Sequence, residues 1–119
     1  MSVRHCKSSA TAHALRRMKE RGLPGNGTVN SRMARTCGVT MFEVERECGA
    51  GSELAAFLAN KQMTGKKAKI YNGYVFIFFS TSDRCITCYE LPERYAEEYS
   101  KVKWLEAKHR EDYRRAKRK

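Results

Sequence analysis

The stretch "HALRRMKERG" at 13–22 sets a histidine and two arginines four residues apart: His13, Arg17 and Arg21. An imidazole titrates near neutrality, so beside fixed cations it is suited to giving and taking a proton. A guanidinium holds phosphate by two parallel hydrogen bonds and neutralises charge that grows in a transition state. Together such groups are suited to promoting attack of an RNA 2′-hydroxyl on its neighbouring phosphate without a metal. Basic residues four apart also simply solvate an exposed helix face, and the spacing alone leaves both readings open.

On a helix turning ~100° per residue, Arg17 and Arg21 fall about 40° and about 80° from His13. Ala14, Met18 and Leu15 fall at about 100°, 140° and 200°. The polar trio therefore sits on the shoulder of the apolar face, while Arg16 and Glu20 point outward. Shoulder positions border whatever the helix packs on, where a polar group can meet a cleft.

The elements that must position these groups can be read along the chain. "SVRHC" suits a short edge strand. "SSATAHALRRMKERG" reads as a helix with Ser8 or Ser9 near its cap and Gly22 and Pro24 as its stop. "LPGNGTVNSRMARTCG" (23–38) reads as a long, mobile, polar loop, suited to a flap over a substrate. Thr40 and Glu43 match a capping box that opens a short helix to about Cys48. "SELAAFLANKQM" is a further helix with Leu54, Ala55, Phe57 and Leu58 as its inner face. From Lys66 the period changes: "KAKIY", Asn72-Gly73 and "YVFIFFS" form a hairpin, because Asn-Gly suits a type I′ turn. The second strand is apolar on both faces and should be covered on both sides. "TSD" leads into a third strand, "RCITCYE". Pro92 then opens a long helix from about Glu93, with Tyr95, Tyr99, Val102, Leu105 and Tyr113 as a stripe. Its end, "RRAKRK", reads as a basic tail. Trp104, at the margin of the stripe, reads as core, and His5 and His109 read as surface histidines.

The expected fold is α+β: N-terminal helices packed on a small antiparallel sheet, with a long basic C-terminal helix. The 119 residues suit one domain, mainly helical over 1–65, stranded over 66–92 and helical again over 93–119. Nothing at the N-terminus resembles a signal peptide, and the longest apolar run, 74–80, is too short to cross a bilayer. A soluble, cytoplasmic protein without membrane attachment is the expectation.

The five cysteines, Cys6, Cys37, Cys48, Cys85 and Cys88, are an odd number and read as free thiols. Cys85 and Cys88 have C-x-x-C spacing, but strand alternation would turn them to opposite faces, where they cannot share a metal. No metal or cofactor is expected.

Net charge is +11, and it is unevenly placed. Residues 1–36 hold eight Lys or Arg against one acid, residues 37–92 six against six, and residues 93–119 ten against six. Basic ends around a neutral middle point to a polyanion, nucleic acid before membrane, although basic ends also serve solubility alone. The candidate nucleic-acid contacts are Arg16, Lys69, Tyr71, Tyr89, Arg114 and Arg115. A phenol is suited to stacking on a base or moving a proton, and equally to cross-strand packing. The 114–119 charge run adds salt-dependent affinity without specificity, or is a solvated tail.

The motif H-x-x-x-R-x-x-x-R-G followed by an aliphatic residue, in "HALRRMKERGLP", resembles the opening helix of a small bacterial and phage family of uncharacterised domains. That family is grouped with the RelE/barnase-like ribonuclease toxins. "KIYNGYVFIFF" and "CITCYELP" are similar to its closing hairpin and last strand, where a threonine sits beside aliphatic residues. The resemblance covers residues 8–23 and about 66–92; the segment 24–60 departs from the shorter family pattern. It implies a RelE-like fold and a metal-independent endoribonuclease, with His13 as general acid or base, Arg17 and Arg21 clamping phosphate, and Thr87 orienting it. RNA or the ribosome would be the partner, with an antitoxin or a host protein as a further one. The alternatives are a non-catalytic nucleic-acid or ribosome-binding accessory protein, or a phage protein that binds a host protein.

Overall fold

The strongest local signal, Asn72-Gly73, makes the turn it implies: Asn72 has φ 56° and Gly73 φ 84°, a left-handed pair suited to the right-handed twist of the flanking strands. Around it, a computed structural model, which describes residues 10–23, 25–62 and 65–117, builds a four-stranded antiparallel sheet. Its strands are β1 (Val39–Thr40), β2 (Lys66–Tyr71), β3 (Tyr74–Phe79) and β4 (Cys85–Glu90), adjacent in chain order. β3 is covered on both faces, as its unbroken apolar run requires. Phe76 and Phe78 face one layer, and Val75 and Ile77 the other.

The first layer contains α1 (Ala12–Glu20) and α2 (Gly27–Cys37). Ala14 and Met18 of α1 and Ala34 of α2 pack with Phe76, Phe78, Cys85 and Cys88. α1 is capped by Thr11, whose side chain accepts from the Ala14 amide, rather than by the serines. Ser8, Ser9 and the "SVRHC" strand lie outside the described residues, although Ala10 forms a parallel bridge to Cys85.

Where a loop was expected over 23–38, eleven residues form α2. Asn26 supplies the start, its side chain accepting from the amides of Thr28 and Val29. The inward stripe is Ser31, Ala34 and Cys37. Such small residues give little apolar contrast to a periodicity reading, yet they let the helix lie close. Gly27 shows how close: a Cβ there would stand 2.7 Å from Leu15 Cδ2 and 3.3 Å from Met18 Sδ.

The second layer contains α3 (Met41–Cys48), α4 (Glu53–Lys61) and α5 (Ala96–Val102). The Thr40–Glu43 capping box opens α3 as expected. Leu54, Ala55 and Leu58 of α4 are buried, and Phe57 lies half-buried against them. A fully buried leucine such as Leu54 or Leu58 contributes about 1.5–3 kcal/mol relative to exposure.

Beyond Pro92 the expected single long helix is divided. A 3-10 turn (Glu93–Tyr95) leads into α5, and α6 (Trp104–Lys117) follows a break at Lys103. The Glu106 amide bonds to the Lys103 carbonyl, a tighter pattern than the regular helical one. The break lets α5 bury Tyr99 and Val102 while α6 packs against α2 and α5. Tyr113 is consequently 41% exposed and Trp104 51%, so neither belongs to the core. His109 is no free surface histidine either: its Nε2 stands 2.7 Å from Glu43 Oε2 and ties α6 to the start of α3.

The C-x-x-C pair also departs from simple alternation. Ile77 pairs with Thr87, but Phe78 pairs with Cys85, so one extra residue, Ile86, bulges from β4. The bulge reverses the parity of the strand, and Cys85 and Cys88 are both buried in the α1–α2 layer. Among the described residues no cluster of three or more His, Cys, Asp or Glu is placed to hold a metal. No helix there is long and apolar enough to cross a membrane.

Candidate nucleic-acid interface

α1 turns Ala14 and Met18 into the core and packs Leu15 at its edge, which leaves the opposite face to solvent. His13, Arg16 and Arg21 are exposed. Arg17 is half-exposed, and its Nη1 lies 3.3 Å from Glu20 Oε1. An exposed pair at that spacing is worth well under 1 kcal/mol, on the order of 0.3–0.5, so a phosphate can displace it. The three groups therefore share a solvent-facing helix surface.

Thr87 is not brought to them. Its ladder partner Ile77 packs with the α3–α5 layer, so the sheet stands between Thr87 and α1. Tyr89, opposite Val75, lies in that same layer. Lys61 stands 5.8 Å from the centre of its ring, and its hydroxyl is buried without a hydrogen-bond partner. Burial raises the pKa of this phenol, which disfavours its losing a proton.

Tyr71 and Lys69 project from β2 on the α2 side. Tyr71 packs against the α1–α2 core, and its hydroxyl accepts from Arg110 Nη1 at 3.3 Å. The Lys69 ammonium donates to the Arg35 carbonyl at the end of α2. Burial, and then the neighbouring Lys67, push its pKa below the usual lysine value. Lys69 thus caps α2 and is half-buried. Arg114 and Arg115 are exposed on α6, and both reach Glu111, at 2.9 and 3.4 Å.

The largest feature is collective. From α1 through α2, Arg16, Arg17, Lys19, Arg21, Arg32 and Arg35 face one acid, Glu20. Across the sheet, α3, α4 and α5 carry Glu43, Glu45, Glu47, Glu53, Glu97 and Glu98 against Arg46, Lys61 and Lys101. The two layers have opposite net charge. No family model matches the chain, and neither a curated protein nor a solved structure does.

The basic layer continues into α6, which packs against α2 and carries Lys108, Arg110, Arg114, Arg115 and Lys117 against Glu106, Glu111 and Asp112. Between α2 and α6 lies a cavity of about 240 Å³ lined by Met33, Arg110, Tyr113, Arg114 and Lys117. Apolar periodicity places Tyr113 in the core stripe, and no local motif singles out Arg32, Arg35, Arg110 or Lys117. Arg110, Tyr113, Arg114 and Lys117 follow i, i+3, i+4, i+7 spacing, the one signal that would have found them.

A larger open cleft of about 710 Å³ lies on the other side, lined by Glu53, Phe57, Asn60, Arg94, Tyr95 and neighbours. Its one acid and one base balance, so it offers a polyanion no net attraction.

Proposed function

We propose that the protein is a non-catalytic RNA-binding accessory protein that holds the phosphate backbone on the surface formed by α1, α2 and α6. One observation carries this reading: the charge divides by layer, with six basic residues against one acid on α1–α2 and three against six on α3–α5. A solubilising charge has no reason to collect on one side of a sheet, whereas a polyanion binds best where cations adjoin and outnumber acids. The exposed guanidinium groups suit phosphate contact, which positions a nucleic acid without reading its sequence.

The alternative of RNA cleavage by His13, Arg17 and Arg21 draws on the same surface. It is less well supported, because Thr87, its fourth group, lies across the sheet.

Fluorescence anisotropy with a labelled RNA tests the reading. Arg16→Glu combined with Arg21→Glu should weaken binding and lower the salt slope by roughly 1–2 phosphate contacts. Lys101→Glu on the opposite layer should leave both unchanged. Wild-type protein that fails to bind RNA at low salt, or equal losses from both layers, would overturn it. Release of 2′,3′-cyclic phosphate ends by wild type but not by His13→Ala would replace it with the catalytic reading.

A further inference from the structure

The cavity between α2 and α6 has a chemistry that bulk charge does not explain. It is lined by one aromatic ring, one thioether and three cations, Tyr113, Met33, Arg110, Arg114 and Lys117, with no acid in the lining. At about 240 Å³ it has room for a single flat ring rather than a duplex. A stripe at i, i+3, i+4, i+7 is where a helix usually buries its apolar residues. Here that stripe turns an exposed tyrosine and three cations toward Met33.

We propose that this cavity is a subsite for one unstacked nucleobase of single-stranded RNA and its adjoining phosphate. The inference rests on the RNA-binding reading and names the form of RNA that it favours. The base would stack on the Tyr113 ring with its edge against Met33, since aromatic stacking accepts any base. Lys117 now holds its ammonium 5.5 Å from the centre of that ring. An arriving base takes this place, and the displaced ammonium is then free for the phosphate. Arg114, half-held by Glu111 at 2.9 Å, can turn to the same phosphate. Arg110, also in the lining, stays on the Tyr71 hydroxyl at 3.3 Å. Duplex RNA keeps its bases stacked inside and would meet only the cations.

The test compares a labelled single-stranded oligouridylate with a labelled RNA hairpin duplex of equal length, by anisotropy over the same series of salt concentrations. Tyr113→Leu should weaken the single strand by roughly tenfold, the loss of one stacked base. It should leave the duplex affinity and the salt slope unchanged, and Tyr113→Phe should keep wild-type binding to both. Circular dichroism controls for folding. If Tyr113→Leu leaves single-strand binding intact, or weakens both ligands equally, the subsite is refuted while the RNA-binding reading stands. If wild type binds neither ligand, both fall.

Discussion

Thr87 stands opposite Ile77 in the β3–β4 ladder and so belongs to the layer of α3, α4 and α5, away from His13. A phosphate on α1 is therefore separated from the threonine by the thickness of the sheet. Thr87→Val should leave RNA affinity unchanged while Arg16→Glu with Arg21→Glu lowers it, both measured by anisotropy. A clear loss of binding in Thr87→Val would mean that RNA wraps to the second layer.

Buried Glu106 organises the hairpin turn from beneath. Its Oε2 accepts from the Tyr99 hydroxyl at 2.6 Å, and both carboxylate oxygens lie 3.2 Å from the Asn72 amide. The Gly73 amide in turn donates to the Tyr99 oxygen at 2.9 Å. Tyr99→Phe removes one acceptor and one donor and should cost about 1–3 kcal/mol in urea unfolding, because the Gly73 amide and Glu106 lose their partner. Glu106→Leu should cost at least as much.

The same carboxyl gives a pH signature. Burial raises the Glu106 pKa above its ordinary value of 4.5, outweighing the hydrogen bonds that lower it. Between those two values the folded chain holds a proton that the unfolded chain has released, so this group's contribution to stability falls as pH rises through that window. Glu106→Gln cannot titrate. Urea midpoints measured from pH 4 upward should therefore decline more steeply in wild type than in Glu106→Gln over that interval; parallel curves would refute the assignment.

Gly38 joins α2 to β1 where no side chain fits. A Cβ there would stand 2.4 Å from the Ala34 carbonyl oxygen and 3.2 Å from that of Ile70, and backbone cannot yield as a side-chain end does. Gly38→Ala should destabilise by about 3 kcal/mol, the upper end of overpacking costs, and lower the melting temperature by roughly 10 °C. An unchanged melting temperature would show that α2 and β1 do not meet this closely.

Cys85 and Cys88 are fully buried, and burial pushes each thiol up to about 12. Little thiolate exists near neutrality, so alkylation must wait for the fold to open. Peptide mapping after iodoacetamide treatment should find Cys48, which is half-buried, modified well before either. Labelling of Cys85 or Cys88 in step with Cys48 would contradict the placement of α1 over β4.

Much of the architecture was legible because its signals are local. The Thr40–Glu43 capping box, the Asn72-Gly73 turn and the inner face of α4 each depend on residues within one or two turns of chain. α2 was illegible for the converse reason. Its inward Ser31, Ala34 and Cys37 are chosen for close approach to neighbours rather than for hydrophobic contrast. The division at Lys103 likewise reflects Glu106 reaching a turn that lies more than thirty residues earlier.

For the candidate site, the sequence by itself determined that the chain carries a strong excess of positive charge and that His13, Arg17 and Arg21 share one helix surface. Only the tertiary structure decided what shares that surface. The bulge at Ile86 reverses the parity of β4, which sends Cys85 to the side of Cys88 and leaves Thr87 on the other. The packing of α2 between α1 and α6 joins two basic segments from opposite ends of the chain and opens the Tyr113 cavity. The physical reason is that helix and strand periods fix which residues on one element face alike, whereas ladder register and layer packing fix which elements face each other.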